Sequence, residues 1–265
     1  MVEGLVRFGQ ITGMWVRASR AYPASFWMLM AGSFLITGID FVGVLTLFAN
    51  VDNLGGFNLH EVAFLYGSSG VGIAVADLFV GQVERLGELI RLGRLDQMMV
   101  RPVSVLVQVC AEEFPIRRIG RLTQAAVVFG WSCAFVDWSP ERVLVAVMMV
   151  VSGCAIFSAL FVGLACIQFW TTESAEVANA FTYGGNAMTS YPLSIFPHEL
   201  VKALTFVLPI AFVNWYPGLY VLGREDEFGY PEWVQWVSPV VAALLLGATA
   251  LMWRTGVRQY RSTGS

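Results

Sequence analysis

Residues 82–121 read QVERLGELIRLGRLDQMMVRPVSVLVQVCAEEFPIRRIGR and lie between two long apolar stretches. Seven arginines fall within them: Arg85, Arg91, Arg94, Arg101, Arg117, Arg118 and Arg121. Arginine-rich connections between apolar spans stay on the cytoplasmic side of a membrane. This loop therefore predicts the orientation of the whole chain. Because it also combines both charge signs with a helical apolar pattern, we expect a cytosolic partner to bind here.

The composition predicts an all-α membrane protein with several spans. The chain has 265 residues, of which 57% are hydrophobic and 13% charged, and its mean hydropathy is +0.65. Soluble domains carry roughly 25% charged residues, and a membrane-spanning helix needs about 20 apolar residues. The basic residues form no soluble basic domain, which argues against a nucleic-acid partner. The four cysteines lack CxxC spacing and predict neither a metal site nor a disulfide.

Apolar stretches predict six transmembrane helices within a single domain, residues 1–265. The predicted spans are about 26–49, 62–81, 122–136, 143–170, 199–216 and 237–253. Before them, residues 1–22 carry apolar side chains at three- and four-residue steps and predict an amphipathic helix in the membrane interface. Six spans place both termini and 14 of the 16 basic residues, Lys202 included, on the cytoplasmic side, with only Arg142 and Arg224 outside.

Within the loop, the apolar pattern predicts two short helical pieces at the membrane surface. Residues 84–91 place leucines and an isoleucine on one face and charged residues on the other. Gly93 interrupts this pattern, and Leu95, Met98 and Met99 form a second stripe that Pro102 ends. These pieces either transmit force from a partner or form an ordinary interfacial loop.

A few polar residues inside the apolar stretches are candidates for function. Asp40 lies deep in the first span, where a carboxylate is costly and indicates a functional site unless it pairs locally. Asp77 lies close to the inner edge and is interpreted as structural. The polar stripe from Glu173 to Ser190, at the inner side, either lines an inward-facing vestibule or is a solvated cytosolic face. Pro209 predicts a kink in the fifth span.

No catalytic set stands out in the sequence. The two histidines, His60 and His198, fall on opposite sides of the predicted membrane, and no GxxxxGK[ST] motif is present, so we expect no ATP hydrolysis by this chain. Two alternatives come from other classes: an integral-membrane lipid enzyme using Asp40 or His198, and an ion-coupled secondary transporter using Asp40 and Asp77. The second usually carries internal repeats, and none is convincing here.

Three motifs, in order, resemble a bacterial family of ABC-2-type transporter permeases. Residues 93–102, GRLDQMMVRP, are similar to its G-x-L-D-x-x-L-x-R-P pattern, with methionines where the family usually has leucines. Residues 191–197, YPLSIFP, and 206–217, FVLPIAFVNWYP, also resemble it. The resemblance covers nearly the whole chain and its six-span layout.

The resemblance implies a half-transporter in the bacterial inner membrane, with both termini cytoplasmic. Two permeases, identical or related, would sit on a dimer of ATP-binding subunits, which bind ATP and Mg; this chain would hold no cofactor. The loop would contain the coupling helix that docks on those subunits, formed by Arg94, Leu95, Asp96, Met98, Met99 and Arg101. We expect the pathway beside Asp40, Asn179, Pro209 and Asn214, and export of a lipid-like, amphipathic or glycoconjugate substrate.

Overall fold

The computed structural model describes residues 13–14, 23–113, 115, 117–171 and 175–260, and these are largely helical. Apart from residues 13–14, the predicted interfacial helix 1–22 lies outside the described part. The α-helices are α1 Pro23–Phe48, α2 Leu59–Val80, α3 Leu86–Arg91, α4 Arg94–Met99, α5 Val105–Cys110, α6 Arg117–Cys133, α7 Pro140–Ala165, α8 Ala175–Thr189, α9 His198–Phe206, α10 Ala211–Leu222 and α11 Ser238–Gln259. Short 3-10 turns cover Gly81–Arg85, Cys166–Phe169, Leu193–Ile195 and Glu232–Trp236.

Four helical stretches are long and apolar enough to cross a membrane: Pro23–Phe48, Leu59–Arg91, Pro140–Phe169 and Ser238–Gln259. They match the predicted first, second, fourth and sixth spans. A fifth is reached only if α9 and α10 count as one broken span. The remaining long helices, α6 with 17 residues and α8 with 15, are shorter.

Helices α2 and α6 pack antiparallel along their whole length. At one end Asp77 of α2 pairs with Arg118 of α6, and at the other the rings of His60 and Phe135 stack with centroids 3.7 Å apart. Between them, Gly67 lies directly against the backbone of Phe129. Since lipid gives little hydrophobic drive for helix association, such close backbone contact is a main source of packing energy. We call the end that carries residues 81–121 the arginine end and the other the opposite end.

Helix α7 is the centre of the bundle. Met149, Ile156 and Phe157 are fully buried, and α7 is covered by α2, α10 and α11. Thr249 of α11 donates a hydrogen bond to the carbonyl oxygen of Ala159 at 3.0 Å. By contrast α1 packs mainly on α6 and buries only Val44, so one long apolar face of α1 is left uncovered.

The predicted kinked span 199–216 is instead two helices, α9 and α10, bent by 109°. Both ends of α9 contact the segment that follows α10: the rings of His198 and Phe228 are 5.5 Å apart, and those of Phe206 and Tyr230 are 6.1 Å apart. The pair therefore remains at the opposite end. Pro209 contributes to the break because it supplies no backbone N–H to continue the helix.

This arrangement corrects the sidedness of the preceding segment. Ser194 donates a hydrogen bond to the carbonyl oxygen of Gly55 at 2.9 Å, and Gly55 lies in the connection between α1 and α2 at the opposite end. His198 and Lys202 thus lie at the opposite end, whereas the sequence analysis placed them at the arginine end. The sequence could not decide this, because two short apolar helices and one kinked span have the same hydropathy.

The loop folds into a compact layer at the arginine end. The 3-10 turn Gly81–Arg85 and helices α3, α4 and α5 share a buried core with the ends of α2 and α7. Gly93 separates α3 from α4 with a φ of +65°, a left-handed conformation that favours glycine. Ion pairs between Arg85 and Glu113 at 2.7 Å and between Arg94 and Glu112 at 2.6 Å close the layer.

Candidate functional site

A cavity of about 560 Å³ lies between α1, α2, α6 and α8. Polar and aromatic side chains dominate its lining, which is unusual for a space among apolar helices. These lining residues are Thr37, Asp40, Tyr66, Arg121, Gln124, Tyr183, Asn186, Ser190 and Tyr191. We call it the polar cavity.

The α1 wall of the polar cavity is built around Asp40. Thr37 and Gly43 lie three residues before and after it, so they share one face of the helix. The Tyr66 hydroxyl of α2 donates a hydrogen bond to the carbonyl oxygen of Thr37 at 3.3 Å, and the Tyr66 ring contacts that of Phe41 at 5.2 Å. These contacts fix the wall, and the Asp40 side chain is left exposed.

The α8 wall is held by hydrogen bonds to α2 and α10. Ser69 Oγ donates to Asn186 Oδ1 at 3.1 Å and lies 2.5 Å from the Thr189 hydroxyl. Behind this wall the buried Asn214 amide donates to the carbonyl oxygens of Leu65 at 2.8 Å and Thr189 at 2.7 Å. The Asn214 side chain therefore links three helices, α2, α8 and α10.

A cluster of charges closes the polar cavity at the arginine end. Asp77 pairs with Arg118 Nε at 2.9 Å and with Arg121 Nη1 at 3.3 Å. The Arg121 guanidinium lies over the Tyr183 ring, 5.4 Å from its centroid. The Tyr183 hydroxyl in turn lies 3.5 Å from Glu84 Oε2 of the 3-10 turn. Tyr183 thus belongs both to the cavity lining and to the contact between α8 and the loop.

The predicted coupling residues divide into a buried and an exposed set. Leu95 is 1% exposed and Met98 8%, so both belong to the core of the loop rather than to its surface. Arg94, Met99 and Arg101 are exposed. Two neighbours that were not among the predicted residues are also exposed, Leu92 at 59% and Val100 at 85%. Val100 directly follows the second apolar stripe, and Leu92 lies two residues after Ile90, the last apolar residue of the first stripe.

The carboxylates of the loop lie in contrasting surroundings. Asp96 is half-buried beside Tyr260, the residue after α11, and burial together with this carboxylate raises the pKa of the Tyr260 hydroxyl. Burial also raises the pKa of Glu112, although Arg94 lies against it. The end of α11 is therefore in electrostatic contact with α4.

Of the four predicted pathway residues, the structure places only Asp40 on the polar cavity. Asn179 is half-buried on α8, with its Oδ1 unpaired among the described residues; Pro209 lies at the break between α9 and α10; and Asn214 is buried. Their role in transport stays a prediction. Arg121 and Gln124, one helical turn apart on α6, are lining residues that the sequence analysis did not select.

The chain was compared with protein families, curated proteins and solved structures. A family model described as "ABC-2 family transporter protein" matches residues 34–264. Neither the curated proteins nor the solved structures gave a match. The family match includes every described helix except the first turns of α1. The chain therefore belongs to the ABC-2 family of transporter proteins and is a multi-pass membrane permease of that family.

Proposed function

We propose that this chain is the permease subunit of an ABC exporter, driven by a dimer of separate ATP-binding subunits that bind ATP and Mg. A second permease, identical or related, completes the pathway. The observation that carries the proposal is one continuous connection. Exposed apolar residues of the loop, the Glu84–Tyr183 contact and the polar cavity follow one another from the arginine end into the bundle.

The proposal includes six crossings, although only four helices pass on length and composition alone. Residues 118–135, which comprise most of α6 and the two residues after it, run beside residues 60–77 of α2. In this proposal, the roughly 25 Å of helix in α6 is enough for a crossing there. Helix α8 begins near the loop, and residues 190–194 extend it to Gly55 at the opposite end. With α9 and α10 re-entering from the opposite end, α8 is the fifth crossing.

The docking surface that we propose consists of Leu92, Met99 and Val100, with Arg94 and Arg101 beside them. All five are exposed on the loop. An apolar patch with flanking arginines fits a groove that is apolar at its centre and acidic at its rim. We propose that the ATP-binding subunit supplies this groove, and that Leu95 and Met98 support the patch from within.

In the mechanism we propose, the loop transmits motion to the polar cavity. ATP binding closes the two ATP-binding subunits, and the docked loop moves with them. Because Glu84 lies in the 3-10 turn directly after α2 and contacts Tyr183, the movement reaches α2 and α8 together. A change in the distance between α2 and α8 would then open or close the polar cavity, which in this proposal holds an amphipathic substrate.

The orientation follows from the arginine end. The described basic residues concentrate there, which favours the cytoplasmic side of a bacterial inner membrane for the loop and for both termini. Lys202, Arg142 and Arg224 then lie on the outer side. The outward direction of transport rests, in this proposal, on membership of the ABC-2 family alone. A direct assay of transport direction is the test of it.

The test is copurification of the full chain from its native membrane in mild detergent. We expect an ATP-binding subunit to copurify, and Val100→Asp to abolish its recovery while leaving the chain folded. Val51→Asp is the matched control, because Val51 is an exposed valine at the opposite end and its substitution should leave recovery unchanged. Equal recovery with Val100→Asp, or loss with Val51→Asp alone, would overturn the docking assignment.

A further inference from the structure

We propose that the polar cavity binds the charged group of an organic cation with an apolar or aromatic body, and that Asp40 recognises the positive charge. This inference rests on the proposed function and specifies its substrate class. It follows from three observations: the charge balance around the cavity, the aromatic groups in its lining, and the place of Asp40 on α1.

The charge balance leaves Asp40 as the uncompensated group. At the arginine end of the cavity, Arg118 and Arg121 both form ion pairs with Asp77. Arg121 is held by Asp77 and by the Tyr183 ring. Asp40 makes no ion pair within the described part of the chain. A substrate that neutralises Asp40 must therefore be positively charged.

Three tyrosines add a second feature that favours a cation. Tyr66, Tyr183 and Tyr191 line the polar cavity from α2, α8 and the turn after α8. The face of a tyrosine ring attracts ammonium and other cations, and the attraction is stronger where the pair is shielded from water. Arg121 already occupies the Tyr183 ring, so Tyr66 and Tyr191 are the rings available to a substrate.

The position of Asp40 explains the need for an apolar body. Asp40 lies eight residues before the end of α1, about 12 Å of helix from the opposite end. Ile36 and Ile39 beside it are 69% and 67% exposed, and they continue the uncovered apolar face of α1. A carboxylate at such depth is costly unless it is paired. A small hydrophilic cation would lack contact with this face, whereas a lipophilic cation gains it.

The experiment measures equilibrium binding of tetraphenylphosphonium, a lipophilic cation, to the full purified chain with its copurified subunits. Tetraphenylborate, an anion of the same shape, is the matched probe. We expect the cation to bind and the anion to bind at least tenfold more weakly. Asp40→Asn should weaken cation binding about tenfold, since one charge contact is lost, whereas Asp40→Glu should stay within about threefold of the unchanged chain.

Asp52→Asn is the control for charge removal, because Asp52 is exposed in the connection after α1, outside the cavity. It should leave both affinities unchanged. Equal binding of anion and cation, or unchanged cation binding by Asp40→Asn, would overturn the inference. Asp40→Asn should leave copurification with the ATP-binding subunit intact. A complex that assembles and exports a neutral amphiphile but ignores the cation would therefore refute this inference alone. Absence of any ATP-binding partner would refute the proposed function instead.

Discussion

Asp77 and Arg118 form an ion pair inside the bundle, with Arg118 Nε 2.9 Å from Asp77 Oδ1; the side chain of Asp77 is only 4% exposed and that of Arg118 9%. The Arg118 guanidinium also donates to the carbonyl oxygen of Asp77 at 2.9 Å, so it ties the end of α2 to the start of α6. Asp77 is thus committed to a structural pair, which agrees with its interpretation from sequence.

The first prediction concerns the cost of breaking this pair. Arg118→Met should destabilise the chain by about 3 kcal/mol or more, because it leaves a buried carboxylate with only Arg121 as partner. The double variant Asp77→Asn/Arg118→Met should be more stable than Arg118→Met. Thermal unfolding in detergent, followed by the loss of the monodisperse peak, measures this order. Arg117→Met, at the exposed neighbour, is the control and should have little effect.

The second prediction concerns the contact between α2 and α6. A Cβ on Gly67 would lie 2.6 Å from the backbone of Phe129, so Gly67→Ala must push the helices apart. We expect a loss of about 1–3 kcal/mol, measured by the same unfolding assay. Gly130→Ala, one residue from Phe129 on the other helix, meets nothing within 4 Å and should be neutral. Similar losses for both variants would contradict the packing.

Long apolar helices and the loop were the parts of the fold that could be predicted from sequence. The stretches 26–49, 62–81, 143–170 and 237–253 each overlap almost completely with a helical stretch that is long and apolar enough to span a membrane, because their hydropathy alone sets them apart. The glycine at position 93 also predicted a local feature correctly: it ends one short helix and precedes the next, in a left-handed conformation that favours glycine. Local pattern thus predicted local structure.

The break between α9 and α10 and the place of α8 in the bundle required tertiary information. Helix α8 carries polar residues such as Asn186 because it packs against Ser69 of α2, not because it is in water. Its hydropathy is therefore too low to mark a span. For the site, Asp40 was recognisable as an isolated carboxylate in an apolar stretch. Tyr66 and Gln124 were not, since only the packing of α1, α2 and α6 brings them to Asp40.

The third prediction tests the sidedness of α9. In a chain whose own cysteines are replaced by alanine, E199C and D52C should react with a membrane-impermeant maleimide from the same side of the membrane. L92C should react only from the other side. Glu199 is 83% exposed, so poor access does not limit its labelling. If E199C were labelled from the same side as L92C, this prediction would be wrong, and residues 199–216 would cross the membrane as predicted from the sequence.

The fourth prediction separates support of the loop from docking. Leu95→Asp should lower the amount of folded chain, because it buries a carboxylate in the loop core at a cost of several kcal/mol. Val100→Asp should leave folding unchanged and remove only the partner. Size-exclusion chromatography of the chain, followed by analysis of what copurifies, distinguishes the two effects. A well-folded Leu95→Asp chain that merely lacks its partner would place Leu95 on the docking surface after all.

The fifth prediction concerns Asn214, which lies on α10 and links this helix to α2 and to the α8 wall of the polar cavity. Its side chain donates to two main-chain carbonyls, those of Leu65 and Thr189, so both hydrogen bonds depend on the amide NH2. Asn214→Ala should cost about 1–3 kcal/mol, since two buried acceptors lose a donor.

Asn214→Asp should cost more than Asn214→Ala. A carboxylate of the same size cannot donate when ionised and faces the same two carbonyl oxygens, so repulsion is added to the loss. Because this link joins α10 to α2 and α8, we expect both variants to unfold at a lower temperature in the same detergent assay, Asn214→Asp at the lowest. Asn50→Ala is the control: Asn50 also donates from its amide, to the carbonyl oxygen of Thr46 at 2.9 Å, but on the surface. If Asn214→Asp were as stable as the unchanged chain, Asn214 would not be the link between helices that its hydrogen bonds indicate. Its predicted role on the transport pathway would then be the one to test.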